Sequence, residues 1–490
     1  MIAVPTDLTY PGHPPGSPLR VESKDLFLEP MTEPVYKVLE KLESRYRRPL
    51  RGVHIVHEGT VQKNLRRVQA AFRARYGGAI TEAWAVKSFH VKALVGLAAL
   101  EGAGADAGSL QELEMALEAG MSPGMIICTG PAKDDVELDL IAGNEAICVI
   151  DSLSEAEALN RAAGRTAKRL HVGIRVIPSL PGEMQARHPG ILTATRYSQF
   201  GVPVENDHAL KMARQIHRME SLRLSMVHMH IGTQITDLSL YREAVESEVD
   251  FVNNLREEGI EVTMLDVGGG FGFPYVPRPV EERLRRAGIR LDLALACELT
   301  PEDYAEAISE AVRGGINGEL PTLFIEPGRY VVAGACGTLG RVLTVKEFEG
   351  IANWVHSTIS TREFHHKLVA PSLLYQAGIA NRMDKPADFA ASLGGELCFR
   401  DDVMLPSGVA VLVPKPKRGD YIYFANTGAY SIYGAANSHN IPRLPIVMVT
   451  EKAEVKVIRA PERRNPMRDL DRMPTRILRE LRKGDDGRAV

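Results

Sequence analysis

Between residues 83 and 328 the chain alternates short apolar runs with longer stretches of helical periodicity, and it does so eight times. The apolar runs are AWAVK (83–87), ADAGS (105–109), MIICTG (125–130), AICVID (146–151), LHVGIRV (170–176), MVHMHIG (226–232), MLDVGGG (264–270) and LFIEPG (323–328). Between them lie segments such as SLQELEMALEAG, LSEAEALNRAAG, ENDHALKMARQIHRM, YREAVESEVDFVNNLREEG and PEDYAEAISEAVRGG, several ending in Gly, a helix-stop residue. Strands this continuously apolar are buried on both faces, as in a parallel sheet covered by helices. Eight strand–helix units in about 250 residues is the length of a (β/α)8 barrel, and an open doubly wound sheet would show the same alternation. A strand and helix, VHIVHEG and VQKNLRRVQAAFRARYG, lead into this region.

After residue 331 the texture changes to Gly, Pro and β-branched residues, as in YVVAGACGTLGRVLTVKEFEG and VAVLVPKPKRGDYIYFANTGAY. That pattern predicts a mostly β second domain. The expected fold is therefore α/β: a barrel over 51–330, a β-domain over 331–460 and a charged tail over 461–490. An N-terminal extension, 1–50, partly joins the β-domain through SPLRVESKDLFLEP, and its Pro- and Gly-rich first 20 residues are expected to be poorly ordered. The tail is expected to hold a short amphipathic helix.

Composition narrows the class of function. The net charge of −3 gives no reason to expect nucleic acid or an anionic membrane surface as partner. No apolar run approaches the roughly 20 residues that span a bilayer. The N-terminus lacks the basic and apolar regions of a signal peptide. The cysteines, Cys128, Cys148, Cys297, Cys336 and Cys398, are odd in number and scattered, which points to reduced thiols in a cytoplasmic protein.

Barrel active sites lie at the carboxyl ends of the strands. The strand ends here carry Lys87; Asp106 and Ser109; Arg175; His228 and His230 with Thr233 beyond; Gly268, Gly269 and Gly270; and Glu326 followed by Pro327, Gly328 and Arg329. Glycines let backbone N–H groups approach an anion, and barrel phosphate sites often follow the seventh and eighth strands. Neither the P-loop lysine nor the dinucleotide glycine spacing is present. A phosphate cradle, a lysine on one strand and an acid on another fit pyridoxal 5′-phosphate, which needs all three. A lysine beside other cations and partly desolvated would have a lowered pKa and act as a nucleophile. The competing reading is a metal: HMH sets His228 and His230 on one strand face, as in metal-dependent amidohydrolases. There the pair stands on the first strand and is joined by later histidines, whereas here it stands on the sixth and is followed by glycines and Glu326, so no metal is expected.

The ordered motifs AVK, GADAGS..E, YSQFGV, HMHIGTQ, LDVGGGFG, EPGRY, GELCFRDDV and GDYIYFANTGAY span roughly residues 50 to 450. In this order the chain resembles the fold type III pyridoxal-phosphate-dependent decarboxylases, the ornithine and diaminopimelate decarboxylase group. The resemblance implies an alanine-racemase-like barrel followed by a β-domain. It implies that Lys87 is the Schiff-base lysine, that His230 stacks on the cofactor ring and that Glu326 pairs with the pyridine nitrogen. It places Gly268, Gly269, Gly270, Arg329, Thr233 and Tyr430 at the phosphate, and Asp106 and Arg175 beside the ring or its lysine. Cys398 matches the cysteine that reprotonates the carbanion from the partner subunit, which implies a homodimer with shared sites. The alternative within this fold is an amino-acid racemase, but racemases tend to place an arginine at the pyridine nitrogen, where this chain has Glu326.

The resemblance departs at the substrate's far end. An aspartate or glutamate follows the family's cysteine, where this chain has Phe399. The second ornithine-type aspartate corresponds to Gln376, and the diaminopimelate-type arginine to Ala370. A buried ammonium without a partner costs several kcal/mol, of the order of 3–5. On that ground ornithine, lysine and diaminopimelate are not expected as substrates. Gln376, Phe399, Arg400 and Asp402 are expected to contact the substrate, with Arg400 pointing to an acidic or carrier-linked side chain.

Overall fold

The computed structural model describes residues 4–6, 16–166, 168–183, 192–195, 197–463 and 471–485. The rest of the N-terminal extension and of the tail, including most of the segment expected to be poorly ordered, lies outside the described residues. Eight parallel strands form the barrel: β1 (Ile80–Ala85), β2 (Gly104–Ala107), β3 (Ile126–Cys128), β4 (Ile147–Ile150), β5 (Leu170–Ile177), β6 (Leu222–His228), β7 (Met264–Asp266) and β8 (Thr322–Ile325). Each pairs with the next, β8 pairs with β1, and the β4–β5 pairing completes the ring. An open sheet is thereby excluded. Strands such as β2 and β4 are buried at every position, which is why their apolar runs do not alternate.

Local chemistry sets the helix boundaries. His57 caps the helix Glu58–Tyr76 through the Thr60 amide, and Gly77 ends it at a φ of 80°. Ser109, noted above as a strand-end residue, is spent as the N-cap of Leu110–Glu118. Thr300 and Asp303 form a reciprocal capping box at Pro301–Gly315.

The second domain is built on a ten-stranded sheet with its long strand at Cys336–Phe348. Gly52–His57, expected within the barrel segment, belongs to this sheet instead. It runs antiparallel to Cys336–Gly340 and parallel to Ile446–Val449. An apolar run is buried in either sheet, so the sequence did not reveal which it joins. Val4–Thr6 adds an edge strand beside Val409–Val411. The hairpin Leu19–Glu22 and Asp25–Leu28 packs Leu26 and Leu28 against Leu339, Tyr421 and Val447, so the extension does contribute to the β-domain. The tail holds a helix at Thr475–Asp485 with Ile477, Leu478 and Leu481 exposed. Among the described residues no helix is long and apolar enough to cross a membrane.

Candidate active site

Strand β1 stops at Ala85, and Lys87 sits in the single 3-10 turn Val86–Ser88 that follows. The second domain holds that turn in place: the Tyr430 amide donates to the Ser88 carbonyl at 2.9 Å. Lys87 Nζ lies 2.6 Å from Asp106 Oδ2 at the end of β2, and Thr129 donates its hydroxyl to the other oxygen of the fully buried Asp106. Here the expectation of a lowered lysine pKa fails. Burial does pull Lys87 down, but the neighbours are carboxylates, Asp106 and Glu326, and they hold the ammonium above its usual range. Lys87 is thus a protonated, ion-paired lysine at the cavity floor.

Glu326 follows β8 at 3% exposure. The two histidines of HMH divide their roles there. His228 is fully buried and its Nε2 lies 2.9 Å from Glu326 Oε1. His230 reaches the cavity, and the Gly269 amide donates to its Nδ1 at 3.2 Å. The same nitrogen lies 3.5 Å from Glu326 Oε2, so His230 is held between the glycine run and the carboxylate. Burial alone would raise Glu326; the His228 hydrogen bond, His230 and Lys87 outweigh it and keep the carboxylate ionised well below its ordinary range. Burial pushes the His228 pKa down, so a neutral imidazole donates that bond.

The glycine run is fixed by close backbone approach. A Cβ at Gly269 would lie 1.9 Å from the Glu326 carbonyl, and one at Gly270 would lie 2.4 Å from the Gly232 carbonyl. Gly268 and Gly270 also take φ of 68° and 96°. Beside this cradle Arg329 is buried to 3% exposure, and among the described residues no carboxylate pairs with it. Its Nη2 donates to Thr233 Oγ1 at 2.7 Å, its Nη1 to the Tyr275 hydroxyl at 2.8 Å, and its Nε has no partner. The Tyr430 ring covers the guanidinium at 5.2 Å. A buried cation without a counter-charge, next to a glycine cradle and two hydroxyls, is matched by a phosphate. The lysine, the buried carboxylate and the cradle together fit pyridoxal phosphate.

Beside Lys87 and His230 opens a cavity of about 360 Å³ whose lining also includes Arg175 and four residues that the sequence motifs did not single out: Glu112, Thr129, Phe200 and Tyr433. Phe200 stacks under Arg175, with the guanidinium 4.6 Å from its ring centre. Burial pushes Glu112 up to about 7, while the Gly108 amide bonded to it works the other way. YSQFGV contained Phe200 and GADAGS..E contained Glu112; Tyr433 comes from the second domain and had no motif. A larger cavity of about 620 Å³ lies between Asn64, Arg67, Phe273 and Tyr330, but its Arg67 is already paired with Glu302.

Lys87, Asp106, Arg175, His230, Thr233, Gly268, Gly269, Gly270, Glu326, Arg329 and Tyr430 converge. The other residues singled out do not join them within one protomer. Cys398 is exposed, in a separate surface depression with Trp354, His356, Phe399 and Arg400. Arg400 is 95% exposed, with the Asp401 carboxylate 4.0 Å away. Asp402 is buried and staples the Cys398 loop: Oδ1 accepts from the Thr361 amide at 2.7 Å and Oδ2 from the Leu397 amide at 2.9 Å. Its carboxylate is committed to the loop, not to a substrate. Gln376 is also buried, at 2% exposure.

The family described as pyridoxal-dependent decarboxylase, pyridoxal binding domain, matches residues 58–333. The chain is 30% identical to the diaminopimelate decarboxylase of Methanocaldococcus jannaschii over 449 residues, 90% of this chain and 95% of that protein. It is 30% identical to the diaminopimelate decarboxylase of Staphylococcus aureus over 405 residues, 82% of this chain and 89% of that protein. The crystal structure of the M. jannaschii enzyme with L-lysine superposes at a TM-score of 0.81, with 25% identity and coverage of 94% and 98% of the two chains. These findings overturn the expectation that diaminopimelate and lysine are excluded. The physical reason is position: within one protomer Phe399 and Arg400 lie in the depression around Cys398 and not beside Lys87, so residue type at those places was no measure of what faces the substrate.

Proposed function

The chain belongs to the pyridoxal-dependent decarboxylases, and from that premise we propose that it removes the α-carboxylate of an amino acid of the diaminopimelate type, as a homodimer. The decarboxylase class and the cofactor come with the family. The substrate reading is supported by the relatives named above, which match 90% and 82% of this chain. The observation that carries the chemistry is a buried Glu326 carboxylate, bonded to His228 and kept ionised with the help of the Lys87 charge.

Bound in this site, pyridoxal phosphate supplies an electron-accepting ring for the electron pair left when CO2 departs. The protein's own groups prepare for that. Asp106 orients Lys87 and holds its proton at Nζ until the substrate amine arrives. Glu326, held by His228, would supply the negative charge that stabilises a protonated ring nitrogen. His230 presents its ring to the cavity, locked by the Gly269 amide. The Gly270 amide and the Thr233 and Tyr430 hydroxyls would supply donors to the phosphate, the Gly268 and Gly269 amides being taken by Asp266 and His230. Cys398 is exposed and remote from Lys87 in its own protomer, so a proton from its thiol reaches a site only in a second copy. That is the basis for the shared-site dimer.

The test is CO2 release by the holoenzyme on meso-diaminopimelate, L-lysine, L-ornithine and L-arginine, with borohydride reduction and peptide mapping in parallel. The expected result is a pyridoxyl adduct on Lys87 and the highest kcat/KM on meso-diaminopimelate. An adduct on Lys87 with no preference for meso-diaminopimelate would overturn the substrate reading. No adduct would overturn the site.

A further inference from the structure

Behind Arg329 lies a group that no motif supplied. His366 is in the short helical turn His365–Val369 of the second domain and is 6% exposed. Its Nδ1 lies 3.3 Å from Arg329 Nη1 and its Nε2 3.4 Å from Arg329 Nη2. A neutral imidazole accepts through one of these nitrogens only. The surrounding charges keep the ring neutral: burial first, then Arg329 itself, with His365 and Lys367 adding to it. Lys367 is turned away, donating to the Leu373 carbonyl at 2.7 Å and to the Pro371 carbonyl.

We propose that His366 is a positioning residue for the cofactor's phosphate, acting through Arg329. The chain of contacts is directional. Arg329 donates one N–H to His366, one to Tyr275 and one to Thr233, so its fork is held from three sides. Because Thr233 Oγ1 accepts from Arg329, its own hydroxyl proton is free to point towards the cradle at Gly268–Gly270. The Tyr430 ring lies against both partners, 5.6 Å from His366 and 5.2 Å from Arg329. Without the imidazole the guanidinium would lose an acceptor in a place water does not reach, and the Thr233 hydroxyl would lose its fixed direction. A neutral acceptor suits this position because a carboxylate would neutralise Arg329 and weaken its pull on the phosphate.

The inference rests on the reading of this site as a pyridoxal phosphate site, and the experiment separates the two. Apoenzyme is titrated with pyridoxal phosphate and with pyridoxal, which lacks the phosphate, following visible absorbance. His366→Leu keeps the volume and removes both nitrogens; His366→Asn restores a neutral acceptor. The leucine variant is expected to bind pyridoxal phosphate at least about tenfold more weakly, and pyridoxal within about threefold of wild type. The asparagine variant is expected to recover pyridoxal phosphate affinity to within about threefold of wild type. If the leucine variant does not fold, His366→Ala takes its place in the same comparison. Equal losses for the two ligands, no loss, or no recovery with asparagine would overturn the role of His366. A wild-type protein that binds neither ligand would overturn the site reading and the proposal with it.

Discussion

Glu82 lies on β1, five residues before Lys87, with its carboxyl buried at 3% exposure against Gln69. Burial raises it from 4.5 to about 8, with only the Gln69 hydrogen bond and the Arg73 charge working the other way. The folded chain therefore keeps this proton to about pH 8, while the unfolded chain releases it near 4.5. Between those values the native state binds more protons than the unfolded state, so stability falls as pH rises and levels off above the folded value. At 1.36 kcal/mol per pH unit, Glu82 alone removes about 3 kcal/mol between pH 5 and 7. Glu82→Gln keeps the shape and cannot ionise, so its stability lacks this component. With a urea dependence of about 3 kcal/mol/M, the wild-type midpoint should fall by about 1 M relative to the variant across that range. The assay is urea unfolding at pH 5, 6 and 7, followed by fluorescence of Trp84, which is buried two residues away, with Trp354 reporting on the second domain. Wild-type and variant midpoints that move in parallel would refute the reasoning.

Glu326→Gln should retain the cofactor but lower kcat by about 100- to 1,000-fold, because a neutral amide gives the ring nitrogen far less stabilisation; single-turnover decarboxylation measures this, and a loss below tenfold would count against it. Lys87→Ala and Cys398→Ala proteins, each inactive alone, should recover about 25% of wild-type activity when equal amounts exchange subunits, because half the dimers then hold one intact shared site; no recovery would mean that Cys398 does not serve a neighbouring site.

The barrel was legible because its period is local. Eight apolar runs with helices between them needed no knowledge of what touches what. Gly52–His57 was misplaced because a strand's partners are set by long-range pairing, and its side chains look alike in either sheet. The residues at strand ends lie near one another because the fold brings strand ends together. His366, Tyr275 and Tyr433 were missed for the opposite reason: each enters from a loop or from the second domain, and nothing near it in sequence marks its approach. Asp402 was singled out because an acid beside a reactive-looking cysteine resembles a ligand group. Its oxygens are instead held by the Thr361 and Leu397 amides. Lys87 was found at the right place with the wrong sign of pKa shift, since residue type cannot reveal that its nearest charges are carboxylates.

The same limit applies to the acids beneath the cavity, where position alone says little and protonation decides. His228, Asp266 and Glu326 bring ligand-type atoms within 4.8 Å of one another, and fully buried Glu248 lies behind them. Several carboxylates cannot all be charged at such separations in a medium of low dielectric. Burial and the charge of Glu326 push Asp266 well above its usual range, and burial with the Asp266 and Glu326 charges does the same to Glu248. Glu326 escapes because it alone receives the His228 bond and faces Lys87. The neutral Asp266 still accepts the Gly268 amide at 2.9 Å, so it shapes the cradle without adding charge. One ionised carboxylate, set by its neighbours' retained protons, is what a cationic ring requires. An acidic cluster that would pass for a metal site by type is thereby organised as a single-charge acceptor.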